Sequence, residues 1–302
     1  MIKPRALDKN SGRIIAHHGL KVRIETGDGI VEHKPPRREN WVVGDIVRFE
    51  GGRPKDIAPR RNELRRRGSG GGDQTLAANL DILIIVTSCG EAFKPGLIDR
   101  FLVAAGNAGI EPMIALNKID LPDYAERREA VGIYSKLGFD VHFLSAKTAE
   151  GVEALMDSLK DKTSSMVGHS GVGKTSLLNR LIPEINRETA EIHDKTGQGR
   201  HKTSFALLVG LPDGGSVIDS PGVRQFTPTG LEPSGVALHF PGFSHVSGQC
   251  KFRDCLHITE PGCRILEAVD AKELDEGLYS SYQRLLASVR ENQEPRYLKN
   301  KS

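Results

Sequence analysis

The run Gly168-His169-Ser170-Gly171-Val172-Gly173-Lys174-Thr175, followed by Ser176, constrains this chain more than any other stretch. It fits the phosphate-binding pattern G-x-x-x-x-G-K-[ST], and it lies between a strand-like segment at 164–167 and a helix-like one at 176–182, the context such a loop requires. Its glycines let backbone N–H groups wrap a phosphate, and the amino end of the next helix adds its dipole. Lys174 is expected to reach the β- and γ-phosphates, and the Thr175 hydroxyl to hold Mg²⁺. A loop of this kind demands an α/β sheet that presents it at the carboxyl end of a strand.

The neighbouring sequence supplies that sheet. From about residue 75, apolar strand-like runs at 81–88, 112–117 and 140–145 alternate with helix-like stretches at 96–105, 123–137 and 152–160. In the first of these helices Leu97, Ile98, Phe101, Leu102 and Ala105 recur at helical spacing. The alternation predicts a largely parallel sheet covered by helices, with ligands at the strand ends.

Phosphate binding does not choose a base, but Asn117-Lys118-Ile119-Asp120 does. A carboxylate at a strand end can accept both guanine N1–H and the exocyclic amine, a donor pair adenine lacks, and such sites discriminate strongly. The Lys118 stem would cover the base plane, and Asn117 would brace the loop. Ser145-Ala146-Lys147 ends the next strand, where the Ala146 N–H would meet guanine O6. Alone, the NKID stretch reads equally well as a loop capping a helix; beside the other motifs it reads as a base site.

Asp219-Ser-Pro-Gly222 follows a strand at 216–218 and matches D-x-x-G. Asp219 would hold Mg²⁺ through water, and the Gly222 N–H would sense the γ-phosphate. Between the two phosphate motifs lies the glycine-rich GQGRHKTS (197–204), the expected switch loop. Thr203 there is either a second Mg²⁺ hydroxyl or an ordinary strand threonine. Val223 stands where Ras-like enzymes place a water-orienting glutamine, so the intact site is expected to turn over slowly alone. His201 is the candidate substitute, and with Lys174 and Thr203 completes the expected catalytic set; its other reading is a loop histidine or an RNA contact. In Ras-like enzymes the phosphate loop comes first, whereas here the order is 117, 145, 168, 203, 219. The domain is therefore circularly permuted, which is tolerable because the ends of a domain usually lie close together.

Cys250, Cys255, His257 and Cys263 place three thiols and one imidazole close together in the chain, enough for a closed tetrahedral Zn²⁺ shell. Reduced core cysteines are the other reading of that spacing; Cys89, at a strand end, reads as one. Lys251, Arg253 and Arg264 surround the cluster, as phosphate contacts or as a solvated face. Beyond it Leu274, Leu278, Leu285, Leu286 and Val289 mark an amphipathic helix.

The formal net charge of +3 hides an asymmetry. Residues 1–72 hold 17 Lys+Arg against 9 Asp+Glu, and residues 73–302 hold 25 against 30. A net of +8 in the first quarter favours a polyanionic partner, nucleic acid above all. That quarter has five strand-like segments, at 12–16, 20–25, 30–33, 45–50 and around 56–58, which suit a small barrel such as an OB-fold; an SH3-like barrel reads the same. Arg60, Arg61, Arg65, Arg66 and Arg67 then run into a glycine stretch that reads as a domain boundary, and they are expected to meet RNA phosphates rather than form an idle basic linker. The expected division is 1–68, 69–230 and 231–302. The longest apolar run, around Ile82–Val86, falls far short of the roughly 18 residues that span a bilayer. With no signal-peptide pattern at the start, a cytoplasmic chain without membrane contact is expected.

GRII near the start, VVGDIVRF, PRRNELRR, LIDRFLVAAG, LNKID, SAK, the phosphate loop, GRHKTS, VIDSPGVRQF and the cysteine segment together closely resemble the RsgA (YjeQ/EngC) family of circularly permuted GTPases. The resemblance covers nearly the whole chain. It implies an amino-terminal OB-fold, a permuted P-loop α/β GTPase domain and an α-helical zinc-binding carboxyl-terminal domain. It also implies GTP hydrolysis to GDP and phosphate, stimulated by the small ribosomal subunit, whose late assembly such proteins assist while bound to rRNA. A monomer holding one Zn²⁺, with Mg²⁺ accompanying GTP, is expected. Lys202 departs from the family, which usually has a threonine there. Two other classes fit parts of the pattern: an RNA-binding scaffold that merely senses GTP, and a P-loop ATPase acting elsewhere.

Overall fold

The computed structural model describes residues 8, 10–37, 39–67, 72–182, 206–219 and 230–293. His201, Thr203, Gly222 and Val223 lie outside them.

Five short strands open the fold: β1 (Ser11–His17), β2 (Val22–Thr26), β3 (Gly29–His33), β4 (Ile46–Glu50) and β5 (Arg53–Ile57). They pair antiparallel in the order β3-β2-β1-β4-β5, an arrangement that suits the small OB barrel. Burial alternates along β1, with Ile14 and Ala16 fully enclosed, as a strand with one face on a core requires.

The arginine stretch is more structured than a linker. β6 (Glu63–Arg67) and β7 (Asp73–Ala78) pair as an antiparallel hairpin that straddles the expected 68/69 boundary. Arg60 is also not a surface arginine. Its guanidinium lies 2.7 Å and 2.9 Å from the two carboxylate oxygens of fully buried Asp45 and 2.8 Å from Glu63. A buried carboxylate must be paired, and Arg60 meets that need. Arg61 pairs with Asp81 and also donates to the carbonyls of Asn79 and Leu80. Arg60 thus ties Asn40 and Asp45 of the barrel to Glu63 of β6, and Arg61 reaches Asn79, Leu80 and Asp81 just ahead of the next domain, so both arginines carry structural hydrogen bonds.

That domain is the expected α/β sandwich: β8 (Ile82–Ser88), α1 (Pro95–Ala108), β9 (Glu111–Asn117), α2 (Tyr124–Lys136), β10 (Asp140–Phe143), α3 (Val152–Ser158), β11 (Thr163–Val167), α4 (Lys174–Leu181), β12 (Ala206–Gly210) and β13 (Ser216–Asp219). The strand order is β10-β9-β8-β11-β13-β12, parallel except for the β12–β13 pair. Because side chains alternate across a strand, Leu83 and Ile85 pack into one core with Ile98, Phe101 and Leu102 of α1. Ile82, Ile84 and Val86 pack into a second core with Leu155, Leu177 and Leu178 of α3 and α4. β12 also pairs antiparallel with β1, through Ala16 with Leu207 and His17 with Ala206, so the barrel and the α/β sheet share one hydrogen-bonded ladder.

The last part is helical: α5 (Pro233–His239), α6 (Arg264–Asp270) and α7 (Glu276–Gln293). Phe240, Phe243 and Tyr282 form its aromatic centre, with ring centroids 4.8–5.4 Å apart. α7 is fixed to α1 by polar pins. Arg100 donates to the Ser288 hydroxyl at 2.7 Å, and buried Asp99 accepts from Ser281 of α7 and, at 2.6 Å, from Tyr134 of α2.

Candidate nucleotide and metal sites

Three turns at the carboxyl ends of β11, β9 and β10 meet, as the motif reading requires. After β11 the chain bends through Gly168 and Gly173 before entering α4, and both glycines are forced. Gly168 has φ +150°, and a Cβ there would lie 2.2 Å from the Val86 carbonyl oxygen. Gly173 has φ +92°, and a Cβ there would lie 2.4 Å from Asn117 Nδ2. Only a residue without a side chain lets the phosphate loop close on its neighbours.

Asn117, the last residue of β9, interlocks the turns. Its Nδ2 donates to the Val172 carbonyl at 2.9 Å, and its Oδ1 accepts from the N–H groups of Lys118 (2.8 Å) and Ala146 (3.0 Å). The Ala146 N–H, expected at a guanine oxygen, thus has a protein acceptor that ties the SAK turn to the NKID turn. Lys118, itself at φ +63°, lays its ammonium on the Gly171 carbonyl at 2.6 Å. Ser145 donates to Asp120 Oδ1 at 2.7 Å. That bond, with Lys147 and Lys118 nearby, holds the Asp120 carboxyl below the usual carboxylate range, so it stands ionised as a double acceptor. Ile119 is buried beneath the turn.

Lys174 Nζ donates to the carbonyls of Gly168 and His169, both at 2.7 Å. Lys174, Thr175 and Asp219 line one cleft between the phosphate loop and the end of β13, bringing together a cation, a hydroxyl and a carboxylate of the kind that bind a nucleotide's phosphates and its Mg²⁺. Ser170 and Ser176 are exposed on the loop and the first turn of α4.

The motif reading missed the clamp beside this site. Asp123 accepts from the Gly90 N–H at 2.9 Å and from Arg127 Nε at 2.9 Å, and Arg127 lies over the Phe93 ring at 4.9 Å. The Gly90 N–H, foremost, holds Asp123 below the usual carboxylate range. The available sequence signal was an acidic residue ending the NKID turn just ahead of α2. Asp99 was also missed; its signal was a carboxylate inside the apolar stripe of α1.

The second site is the cysteine cluster. The ligand atoms of Cys250, Cys255, His257 and Cys263 all lie within 4.8 Å of one another. His257 Nδ1 is 3.4 Å from Cys250 Sγ and 3.3 Å from Cys263 Sγ, and those two sulfurs are 3.9 Å apart. With metal–sulfur bonds of about 2.3 Å and metal–nitrogen bonds of about 2.0 Å, the edges of a tetrahedral Zn²⁺ site have these lengths. The donors therefore fit a metal ion. Glu260 accepts the N–H groups of Leu256, Ile258 and Thr259, and although burial pulls its pKa up, these donors hold it at about 2. Tyr279 and Tyr282 of α7 donate to the carbonyls of His257 and Leu256 at 2.9 Å and 2.8 Å. Among the described residues, no helix is long and apolar enough to cross a membrane.

A family model described as RsgA GTPase matches residues 57–229. The small ribosomal subunit biogenesis GTPase RsgA of Mannheimia succiniciproducens is 38% identical over 304 residues, covering 96% of this chain and 86% of that protein. Its counterpart from Actinobacillus pleuropneumoniae serotype 5b is 39% identical over 302 residues, covering 95% and 88%. Among solved structures, YjeQ from Thermotoga maritima superposes with a TM-score of 0.75 at 30% identity, covering 93% of this chain and 98% of that one. YloQ, a circularly permuted GTPase, gives 0.73 at 26% identity, covering 96% and 98%.

Proposed function

Because the chain belongs to the RsgA GTPase family, whose members hydrolyse GTP, we propose that it works as a cytoplasmic, monomeric assembly factor of the small ribosomal subunit, timed by GTP hydrolysis. The observation that carries the guanine reading is the interlock centred on Asn117, which holds the Asp120 turn, the SAK turn and the phosphate loop in one hydrogen-bonded unit.

In this reading Asp120 accepts from guanine N1–H and the exocyclic amine, the Lys118 stem covers the base, and the N–H groups from Gly168 to Thr175 surround the phosphates. Lys174 exchanges its two carbonyl acceptors for β- and γ-phosphate oxygens. Mg²⁺, held by Thr175 and Asp219 and completed by Thr203, would neutralise charge developing on those oxygens. His201 would orient the attacking water that Val223 cannot, and the Gly222 N–H would report the γ-phosphate to the segment leading into the carboxyl-terminal domain. The cysteine cluster would hold one structural Zn²⁺, since four protein donors leave no open position for chemistry. The basic first quarter would face rRNA. These roles accompany a division near 1–68, 69–230 and 231–302.

The nucleotide reading is tested with Asp120→Asn, which exchanges an acceptor for a donor at the base. Guanine nucleotide binding should fall and xanthine nucleotide binding should rise; unchanged guanine preference would refute the assignment.

A further inference from the structure

Three lysine ammonium groups converge on four consecutive residues of the phosphate loop, and the motifs account for only two of them. Lys174 lies on the carbonyls of Gly168 and His169, and Lys118 on that of Gly171. The third is Lys94, from the loop between β8 and α1, whose Nζ is 3.0 Å from His169 Nε2. The other ring nitrogen of His169, Nδ1, is 2.8 Å from the Ser170 carbonyl, an acceptor only, so Nδ1 carries the ring proton and Nε2 receives the Lys94 ammonium.

We propose that Lys94 is a further nucleotide-binding residue, which turns from His169 onto the terminal phosphate of GTP. This rests on the reading of the loop as a GTP site. Lys174, the β/γ-phosphate lysine of such loops, lies on the His169 carbonyl and Lys94 on the ring of the same residue, so the two ammonium groups flank one residue of the loop, which favours the terminal end of the phosphate chain as the partner of Lys94. The loop that carries it is held in position: the Gly90 N–H is bound by Asp123, and Phe93 lies under Arg127. An exposed ammonium on an imidazole nitrogen gives up little when an anionic phosphate oxygen replaces that partner, because the new bond joins two opposite charges where the old one joined a charge to a ring nitrogen.

The test measures equilibrium affinities of the full-length protein for GTP, as a slowly hydrolysed analogue, and for GDP. Lys94→Ala should weaken the GTP analogue roughly 10- to 100-fold and GDP by much less, with Lys94→Arg restoring most of the difference. Unchanged affinities, or equal losses for both nucleotides that Arg does not repair, would overturn the proposal. A parent protein that binds neither nucleotide would overturn the GTP reading itself and this inference with it.

Discussion

At the scale of single residues, buried charge and forced backbone decide which positions tolerate no change. Arg60 supplies two hydrogen bonds to a carboxylate with no exposure, so Arg60→Ala leaves Asp45 charged and unpaired in the interior. The expected loss of stability is about 3–5 kcal/mol, read as a lower urea midpoint at an unchanged slope; a midpoint equal to the parent's would show that water replaces the guanidinium freely. Gly173→Ala acts differently. Its methyl would collide with the Asn117 amide at a φ that alanine avoids, so it should unlock the NKID turn and abolish guanine nucleotide binding while the chain still melts cooperatively. The motif residues around Asn117 were legible because backbone phosphate binding and base reading accept few residue types at fixed spacing. Arg60 was not, because its partner stands 15 positions away and nothing local distinguishes an arginine on RNA from one on a buried aspartate.

At the scale of elements, the helices and the metal loop support one another. Burial lifts the Asp99 carboxyl above the usual range, although Ser281 and Tyr134 donate to it and pull the other way. Because the folded-state pKa exceeds the unfolded one, the contribution of Asp99 is most favourable at low pH and declines as pH rises from about 4, the unfolded value, through the raised value. Asp99→Asn should remove that decline, so the variant's stability relative to the parent should increase with pH across that window; a constant offset would mean that Asp99 titrates normally. The metal loop rests on α7 through Tyr279 and Tyr282, which makes it part of the helical unit. Cys263→Ser should therefore reduce bound zinc from about one ion per chain to a small fraction and lower the thermal midpoint, as elemental analysis and calorimetry would show. The alternation of strands and helices was readable from periodicity. The β6–β7 hairpin was not, since a run of arginines and glycines carries no apolar alternation until Leu64 and Leu76–Ala78 are seen to be buried.

At the scale of the whole molecule, the permutation puts the DSPG motif ahead of the helical domain in the chain, while β12 pairs with the barrel strand β1. β12 also pairs with β13, whose Asp219 lines the cleft with Lys174 and Thr175, so the barrel is joined to that cleft through one sheet, an architecture suited to turning nucleotide state into a change of binding surface. The excess of basic residues in the first quarter predicts that affinity for small ribosomal subunits falls steeply as salt rises; a flat salt response would remove rRNA phosphates from the account. Val223 follows the DSPG motif where Ras-like sequences have a water-orienting glutamine, so the sequence predicts that the switch loop or the partner supplies that element. The decisive measurement is steady-state GTP hydrolysis by the purified chain titrated with isolated small ribosomal subunits. We predict slow turnover alone and a saturable rise with subunits, for which a group supplied in trans can contribute up to about 10⁵-fold; an equal rate with and without subunits would contradict the account.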